Sequence, residues 1–463
     1  MKKIALLLST ILALHFTQAQ DISGQWKGVL KVQGVQLPLV FNIEKTDSGY
    51  KSTMDSPQQG AFGIPATSTN FENSTLTIQI TNARIKYEGT LGEDEVVIGV
   101  FDQGGQTYPM NLKKNTEGSD KPTRPQEPSK PYPYLSEDIT FENSSAGIDL
   151  AGTLTMPSTG EAFPAVVLIS GSGPQDRNEE LMGHKPFLVL SDFLTKNGIA
   201  VLRFDDRGTG KSTGDFSAAI TQDFATDVEA AVNYLKTRSE INADKIGLIG
   251  HSEGGMIAPI VAVNTDDVDF IVLLAGTGIP GDQLLLLQQR LLGKASGMSD
   301  SQLEENDVIS KKAFEIVKTS ENPKRDLTDL MIDVFRNLPQ DKIPQGMTEA
   351  DFVNAQVNQM SNPWMMNFIQ YDPAPTLQKV SCPVLAINGS KDLQVAPKEN
   401  LEAIESAVLA GGNKEITIKE LPGLNHLFQE STTGAPSEYG AIEQTISPIA
   451  LDEILNWIQK QVN

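Results

Sequence analysis

The hydrophobic and polar positions of the chain change their spacing several times along its length. Over residues 21–113, apolar and polar residues alternate in short stretches, which turn-forming Gly, Asn, Asp and Ser separate at intervals of roughly ten residues. Such stretches lie at 26–32, 37–43, 76–80 and 96–100. Because alternation places apolar side chains on one face of a strand, this region is predicted to be a small all-β domain, an antiparallel barrel or a sandwich.

From residue 136 onward the spacing is different. Short runs that are apolar throughout, typical of strands buried on both faces, alternate with segments of helical spacing. This order predicts an α/β fold with a mostly parallel central sheet. The predicted strands are 139–142, 150–156, 165–169, 200–204, 245–249, 270–275, 384–387 and 415–421, and the predicted helices are 187–197, 223–237, 254–263 and 448–462.

Two stretches interrupt these patterns. Residues 114–135 carry proline at positions 122, 125, 128, 131 and 133, a spacing that favours an extended, semi-rigid linker. Residues 279–378 are a long, mostly helical stretch rich in Leu and Met that separates two predicted strands. We therefore predict a proline-rich linker at 114–135 and an α/β domain over 136–463 with a helical cap at about 279–378.

The first twenty residues have the features of a secretory signal peptide. Lys2 and Lys3 precede an apolar run over residues 4–16, and small residues at 17 and 19 fit a cleavage site. The run is too short to span a bilayer comfortably. We expect an exported protein, periplasmic or secreted, with no integral membrane segment once residues 1–20 are removed.

Composition excludes several classes of protein. The chain of 463 residues has a formal net charge of −22 and no basic block, so we expect no nucleic-acid partner. One cysteine, Cys382, and four histidines leave no multi-cysteine or histidine-rich metal site, and we expect no metal and no other cofactor. The sequence does not indicate an oligomeric state.

The sequence GHSEG at residues 250–254 matches G-x-S-x-G, with Ser252 at its centre. It follows a predicted buried strand and opens a helix of small residues, which is the setting that a nucleophilic serine on a sharp turn requires. A serine hydroxyl needs a base to take its proton. His251 lies inside the motif and His15 in the predicted signal peptide, so the base is His184 or His426.

These features resemble the α/β-hydrolase superfamily. Residues 136–463 are similar to its bacterial esterase-like branch, which combines a GSGPxDR loop, present here at 171–177, a D-R-G-x-G-x-S loop, present at 206–212, and a helical cap. The resemblance implies carboxylesterase activity on short acyl esters, with thioesterases, dienelactone hydrolases and prolyl aminopeptidases as related enzymes. The start of the β domain, Gly24-x-Trp26-x-Gly28, resembles the first strand of lipocalin-like barrels, and Trp26 is expected to be a core aromatic.

The resemblance implies the remaining catalytic residues. His426 lies between the last predicted strand and the last helix, and Asp392 follows the preceding strand, so the chain order is the serine, acid and histidine order of the family. The oxyanion hole would use the backbone N–H of Glu253 and, from the 170–176 loop, that of Ser172 or the next residue, Gly173. His184 fits no such place, and we expect it on the surface or facing the cap.

The cap is expected to determine the substrate. We predict a hydrophobic acyl pocket near Trp364, Met365 and Phe368 and a small-molecule ester with a short-to-medium acyl chain as substrate. Alternatives are a thioesterase and a prolyl-type aminopeptidase, the latter needing acidic cap residues to hold an amine, for which Glu304, Glu305 and Asp307 are the candidates. A further alternative is a binding protein in which the β domain acts and the hydrolase is inactive.

Overall fold

The computed structural model describes residues 21–32, 35–47, 49–56, 61–92, 94–115, 123–339, 343 and 347–463. The predicted signal peptide, residues 1–20, lies outside the described residues. The chain divides into two compact units, one formed by residues 21–56 and 62–115 and the other by residues from 123 to the C-terminus.

The first unit is a closed antiparallel barrel. Strand β1 pairs with both β2 and β10, and β10 also pairs with β8, so that eight strands close on themselves, with β4 attached to β3 and β9 to β8. The predicted all-β domain is therefore confirmed. Of the two predicted architectures, barrel and sandwich, it has the barrel. The strands are β1 (Gly24–Val32), β2 (Val35–Thr46), β3 (Gly49–Ser56), β4 (Ala61–Pro65), β5 (Ser68–Glu72), β6 (Thr75–Ile80), β7 (Ile85–Leu91), β8 (Val96–Gln103), β9 (Gln106–Pro109) and β10 (Leu112–Lys114).

The barrel interior is filled by aliphatic and aromatic side chains. Trp26 is almost fully buried and donates its indole N–H to the main-chain oxygen of Ile22 at 2.8 Å, as expected for a core aromatic. The buried rings of Phe41 and Tyr87 lie 5.6 Å apart. A Cβ atom at Gly99 would come within 2.4 Å of the Tyr87 hydroxyl, so the ring requires a glycine there. Close packing therefore leaves little free space around Tyr87.

The second unit has an eight-stranded mixed sheet in the order β11-β12-β14-β13-β15-β16-β17-β18. The pairs β11–β12 and β12–β14 are antiparallel and all others are parallel, which confirms the predicted α/β fold with a mostly parallel sheet. The strands are β11 (Leu135–Asn143), β12 (Ile148–Met156), β13 (Phe163–Ile169), β14 (Ala200–Phe204), β15 (Ile241–His251), β16 (Phe270–Leu274), β17 (Val384–Gly389) and β18 (Ile416–Leu421).

Helices cover both faces of this sheet. Two apolar clusters lie on opposite faces, one including Val167 and Leu248 and the other including Val166 and Ile249, so neighbouring residues of a strand face different cores. This explains why the central strands are apolar throughout. The helices outside the cap are α1 (Pro186–Lys196), α2 (Thr221–Lys236), α3 (Gly254–Asn264), α10 (Pro397–Ala410), α11 (Pro436–Tyr439) and α12 (Pro448–Val462).

Among the residues that the structure describes between β16 and β17, where the cap is predicted, there are six helices. They enclose an apolar cluster of their own that includes Phe314, Leu327, Met331 and Val357. Ser299 and Thr348 begin two of these helices with reciprocal side-chain caps. The helices are α4 (Gly281–Ala295), α5 (Asp300–Thr319), α6 (Pro323–Asn337), α7 (Glu349–Met360), α8 (Pro363–Gln370) and α9 (Ala374–Leu377).

Residues 123–135 of the predicted linker belong to the second unit, whereas residues 114 and 115 belong to the first. The guanidinium of Arg124 donates to the main-chain oxygens of Gly440 and Ile442 at 2.8 and 2.7 Å, and the Gln126 amide donates to that of Ile446 at 2.7 Å. These bonds fix residues 123–126 against the segment before α12. Among the described residues, none of the helices combines the length and the apolar character needed to cross a bilayer.

Candidate active site

Ser252 occupies the sharp turn between β15 and α3. Its φ is 52°, in the left-handed region that non-glycine residues seldom adopt, and its main-chain N–H donates to Leu274 O at 2.8 Å. The flanking glycines are required by close approach, because a Cβ atom at Gly250 would lie 2.0 Å from the oxygen of Gly254 and one at Gly254 would lie 2.2 Å from that of Ile169. The strained turn therefore presents the Ser252 side chain at the end of the strand.

His426 and Asp392 form a buried pair. The Nδ1 atom of His426 lies 2.7 Å from Oδ2 of Asp392, and the two side chains are 6% and 0% exposed. The other carboxylate oxygen of Asp392 accepts the main-chain N–H groups of Gln394 and Val395 at 2.8 and 2.9 Å. Asp392 follows β17 and His426 follows β18, so the neighbouring parallel strands bring the two residues together. The pair fixes the imidazole with Nδ1 toward the acid and leaves Nε2 for a reaction partner.

Ser252 and His426 line one cavity of about 350 Å³. This volume is within the range of small-molecule sites. Asp392 lies behind His426 and does not line the cavity. The other predicted site residues that line it are Ser172, Glu253, Trp364, Met365 and Phe368.

The loop after β13 lies beside Ser252. The Gly171 N–H is bound to the Glu179 carboxylate at 2.8 Å and is not free for a substrate. Within the described part of the chain, the N–H groups of Ser172 and Glu253 donate to no protein acceptor. These are the two predicted oxyanion donors, and they remain available to a ligand in the cavity.

A buried ion pair joins the two motif loops. Arg177 donates from Nε and Nη2 to the two carboxylate oxygens of Asp205 at 2.9 and 2.8 Å. Next to it, Asp206 accepts the Ser170 hydroxyl at 2.7 Å and the Gln175 N–H at 2.8 Å. Burial of the carboxyl raises the pKa of Asp206 to about 8, although these two hydrogen bonds act in the opposite direction. Asp205 and Asp206 therefore bind the loop that carries Ser172 at residues before and after this serine.

The comparisons with known proteins agree with this geometry. A model of the serine aminopeptidase S33 family matches residues 187–431, a range that contains Ser252, Asp392 and His426. The chain belongs to this family. It is thus a hydrolase with the α/β-hydrolase fold.

Individual relatives of this hydrolase are distant. Esterase EstD of Thermotoga maritima is 26% identical over 339 residues, which cover 71% of this chain and 69% of that protein. An uncharacterized 31.7 kDa protein of Escherichia coli is 27% identical over 280 residues, covering 60% of this chain and 88% of that protein. The solved structure of the α/β hydrolase GrgF from a Penicillium species is 16% identical with a TM-score of 0.44, covering 71% of this chain and 99% of that one.

Two residues of this S33 hydrolase, His251 and Glu179, were not predicted as site residues but connect the loops around Ser252. His251 lies with Nδ1 at 2.9 Å from Oε1 of Glu179 and Nε2 at 3.0 Å from the main-chain oxygen of His426. Burial alone lowers the pKa of His251, but the charge and hydrogen bond of Glu179 raise it above its ordinary value. No sequence signal points to Glu179, because 72 positions separate it from His251.

The side chain of Glu253 connects the turn at Ser252 to the cap. Its Oε1 atom accepts the indole N–H of Trp364 and the hydroxyl of Thr221, both at 2.7 Å. Burial raises the pKa of Glu253, and these donors counteract part of the effect. Trp364 thus has a polar contact as well as the predicted position at the cavity.

The expectation for His184 is wrong. The residue is fully buried, with Nδ1 3.0 Å from the Thr445 hydroxyl and Nε2 2.9 Å from the oxygen of Tyr439. Burial lowers the pKa of His184 to about 4. It therefore packs inside the domain as a neutral residue, away from both surface and cap, because the segment 439–445 supplies partners for both ring nitrogens.

The acidic cap residues proposed to hold an amine do not line the cavity over Ser252. Glu304 and Glu305 are exposed, and Asp307 is paired with Arg290 at 3.0 Å. In the part of the chain that the structure describes, no group of three or more His, Cys, Asp or Glu side chains could hold a metal ion.

Proposed function

We propose that this hydrolase cleaves carboxylic esters with short-to-medium acyl chains through an acyl-enzyme on Ser252. The observation that carries the proposal is the shared cavity, which is lined by Ser252 at its strained turn and by His426, whose imidazole is paired with Asp392. This combination of nucleophile, base and orienting acid is the arrangement that activates a serine hydroxyl.

In the proposed reaction, Oγ of Ser252 attacks the ester carbonyl while Nε2 of His426 accepts the hydroxyl proton. Asp392, bonded to Nδ1, stabilises the imidazolium that forms. The carbonyl oxygen becomes an oxyanion, which the N–H groups of Ser172 and Glu253 stabilise. The imidazolium then returns the proton to the departing alcohol. Water, deprotonated by the same histidine, attacks the acyl-enzyme, and the imidazolium returns this proton to Oγ of Ser252 as the acid departs.

The shape and polarity of the cavity support an ester over a peptide amine as substrate. A peptidase that recognises a free amino group needs an unpaired carboxylate near the serine. The two acids that line the cavity, Glu179 and Glu253, already accept hydrogen bonds from His251 and Trp364. The apolar wall of Leu284 and Phe368 suits an acyl chain. We further propose that residues 1–20 direct export, so that the enzyme acts on esters outside the cytoplasm.

The test is hydrolysis of p-nitrophenyl butyrate by the wild type and by Ser252→Ala. The variant should lose about 10⁴-fold or more in kcat/KM, because the nucleophile acts as a unit with its base. Ser301→Ala, a change of the same kind at an exposed position on α5, is the control and should retain full activity. Faster cleavage of proline β-naphthylamide or of a butyryl thioester than of the oxygen ester would assign the site to the aminopeptidase or thioesterase alternative. Retained ester cleavage in Ser252→Ala would refute the proposal.

A further inference from the structure

A second cavity, of about 510 Å³, lies among the helices of the cap, has exposed residues such as Asn306 and Gln359 in its lining, and is called here the cap chamber. Residues of α4, α5, α6, α7 and α8 line it. Three of them, Leu285, Gln288 and Met365, also line the cavity over Ser252. The two cavities are therefore neighbours that share one wall.

The shared wall is made of flexible side chains. Leu285, Gln288 and Met365 are each half-buried, and the glutamine and methionine have three rotatable side-chain bonds apiece. Rotation of unbranched side chains needs no backbone movement and occurs far faster than enzyme turnover. A group bound over Ser252 can therefore extend past this wall into the cap chamber without unfolding the cap.

The lining of the cap chamber has a distinct chemistry. None of its lining residues in the described chain carries a charge, although α5 bears Glu304, Glu305, Lys311 and Lys312 on its other sides. Apolar side chains such as Phe314 and Met331 form part of the wall. Five side-chain amides accompany them, those of Gln288, Gln289, Asn306, Gln356 and Gln359. Such a lining disfavours a charged group, accepts an apolar one and offers hydrogen bonds to neutral polar atoms.

We propose that the cap chamber binds the far end of an uncharged acyl group that is largely apolar and carries hydroxyl or amide groups. This inference rests on the proposed ester hydrolysis at Ser252 and names the class of acyl group that the enzyme accepts. The substrate would be an ester of a neutral, medium-chain acid that carries hydrogen-bonding groups.

The acyl part, and not the alcohol, is the part that faces the chamber. His426 must return its proton to the departing alcohol, so the alcohol lies on the His426 side of Ser252. Val395 and Leu427, two residues of the cavity over Ser252 that lie close in sequence to Asp392 and His426, do not line the cap chamber. Of the two residues beside Ser252 in sequence, His251 binds the main-chain oxygen of His426, whereas Glu253 binds the indole of Trp364, and the next residue, Met365, lines the cap chamber.

The test fills the chamber with bulk at positions away from Ser252. Ser310→Trp and Gln356→Trp each place an indole in the chamber from a different helix, and Ser301→Trp puts the same side chain on the exposed surface of α5 as the control. We expect each filled variant to lose at least about 10-fold in kcat/KM for p-nitrophenyl dodecanoate, and to keep its rate on p-nitrophenyl acetate. The control should match the wild type on both esters.

Further substrates separate the possible outcomes. The ω-hydroxydodecanoate ester should be cleaved faster than dodecanoate by the wild type, and Gln356→Leu should reduce that preference. Unchanged dodecanoate rates in filled variants that melt like the wild type would overturn the inference while leaving ester hydrolysis intact. If the filled variants lost activity on decyl acetate but not on the dodecanoate ester, the inference would also be overturned, because the alcohol part would then occupy the cap chamber. A wild type that cleaves none of the esters would refute the proposed function itself.

Discussion

The Nε2 atom of His251 lies 3.0 Å from the main-chain oxygen of His426. A carbonyl oxygen only accepts, so this nitrogen carries a proton, and the other ring nitrogen faces the Glu179 carboxylate at 2.9 Å. Since Glu179 also binds the Gly171 N–H, the contact of His251 with Glu179 connects the 170–176 loop, the turn of Ser252 and the loop of His426. His251 and Glu179 touch no reacting atom in this arrangement and act as positioning residues.

Removing the charge of Glu179 should reduce catalysis more than substrate binding. Glu179→Gln keeps an acceptor for Gly171 but takes away the counter-charge of His251. We expect kcat to fall by about 10- to 100-fold, the cost of a small misplacement of reacting groups, with KM changed by less than about threefold. Steady-state kinetics, measured well below the melting temperature, give kcat and KM separately and so test this prediction. A variant that melts earlier but retains its kcat would show that the pair serves stability alone.

Stability should depend on pH through Asp206. Its pKa is raised from 3.8 to about 8 in the folded protein, so the folded state retains a proton that the unfolded state releases. The contribution of Asp206 is therefore fully present below pH 3.8 and is lost as pH rises toward about 8. Asp206→Asn mimics the protonated acid, so the free energy of unfolding of this variant should depend less on pH between about 4 and 8. Melting curves of the wild type and the variant, measured at several pH values in this range, test the prediction. If the melting temperatures of both proteins changed equally with pH, Asp206 would not be the group responsible.

The ion pair of Arg177 and Asp205 should contribute strongly to stability. The two side chains are only 12% and 5% exposed, so Arg177→Ala leaves a buried carboxylate without its partner. We expect a loss of about 3–5 kcal/mol in the free energy of unfolding, measured by urea denaturation. Arg325→Ala breaks an exposed pair with Asp326 and is the control, with no measurable change expected. Equal effects of the two substitutions would show that burial does not decide the outcome.

The bond between Trp364 and Glu253 should hold the cap to the turn of Ser252. Trp364→Phe retains a ring but removes the donor, and we expect a loss of about 1–3 kcal/mol in unfolding free energy together with a raised KM. Trp457→Phe removes a comparable indole bond, to Thr417 at 3.1 Å, far along the chain from the site. It is the matched control and should leave KM unchanged. A KM that rises equally in both variants would argue against a role for the Trp364 bond.

The parts of the fold that local pattern determines were predicted well. The helix 448–462 has the predicted bounds, and the central strands were recognised because burial on both faces makes them apolar throughout. Strands such as β3 and β5 were missed, since GYKSTMDS and STNFE contain too few apolar residues to signal a strand without their neighbours. Their conformation depends on pairing within the barrel.

In the candidate site, too, the residues marked by a local sequence pattern were predicted and their long-range partners were not. Ser252, Asp392 and His426 were predicted because each follows a recognisable strand, and the structure brings Asp392 and His426 into contact. The partners of His251 and His184 could not be predicted, because they come from loops 72 and 261 positions away whose paths no local pattern determines. Long-range polar contacts of this kind appear only once the fold is known.

The measurement that most directly tests covalent catalysis at Ser252 is the mass of the protein during turnover. Rapid mixing with p-nitrophenyl butyrate, acid quenching and intact mass analysis should show a species heavier by one butyryl group, and peptide mapping should place that group on Ser252. His426→Ala should accumulate it far more slowly, because the serine loses its base. An acyl group found on another residue, or undiminished acylation in Ser252→Ala, would contradict the proposed mechanism.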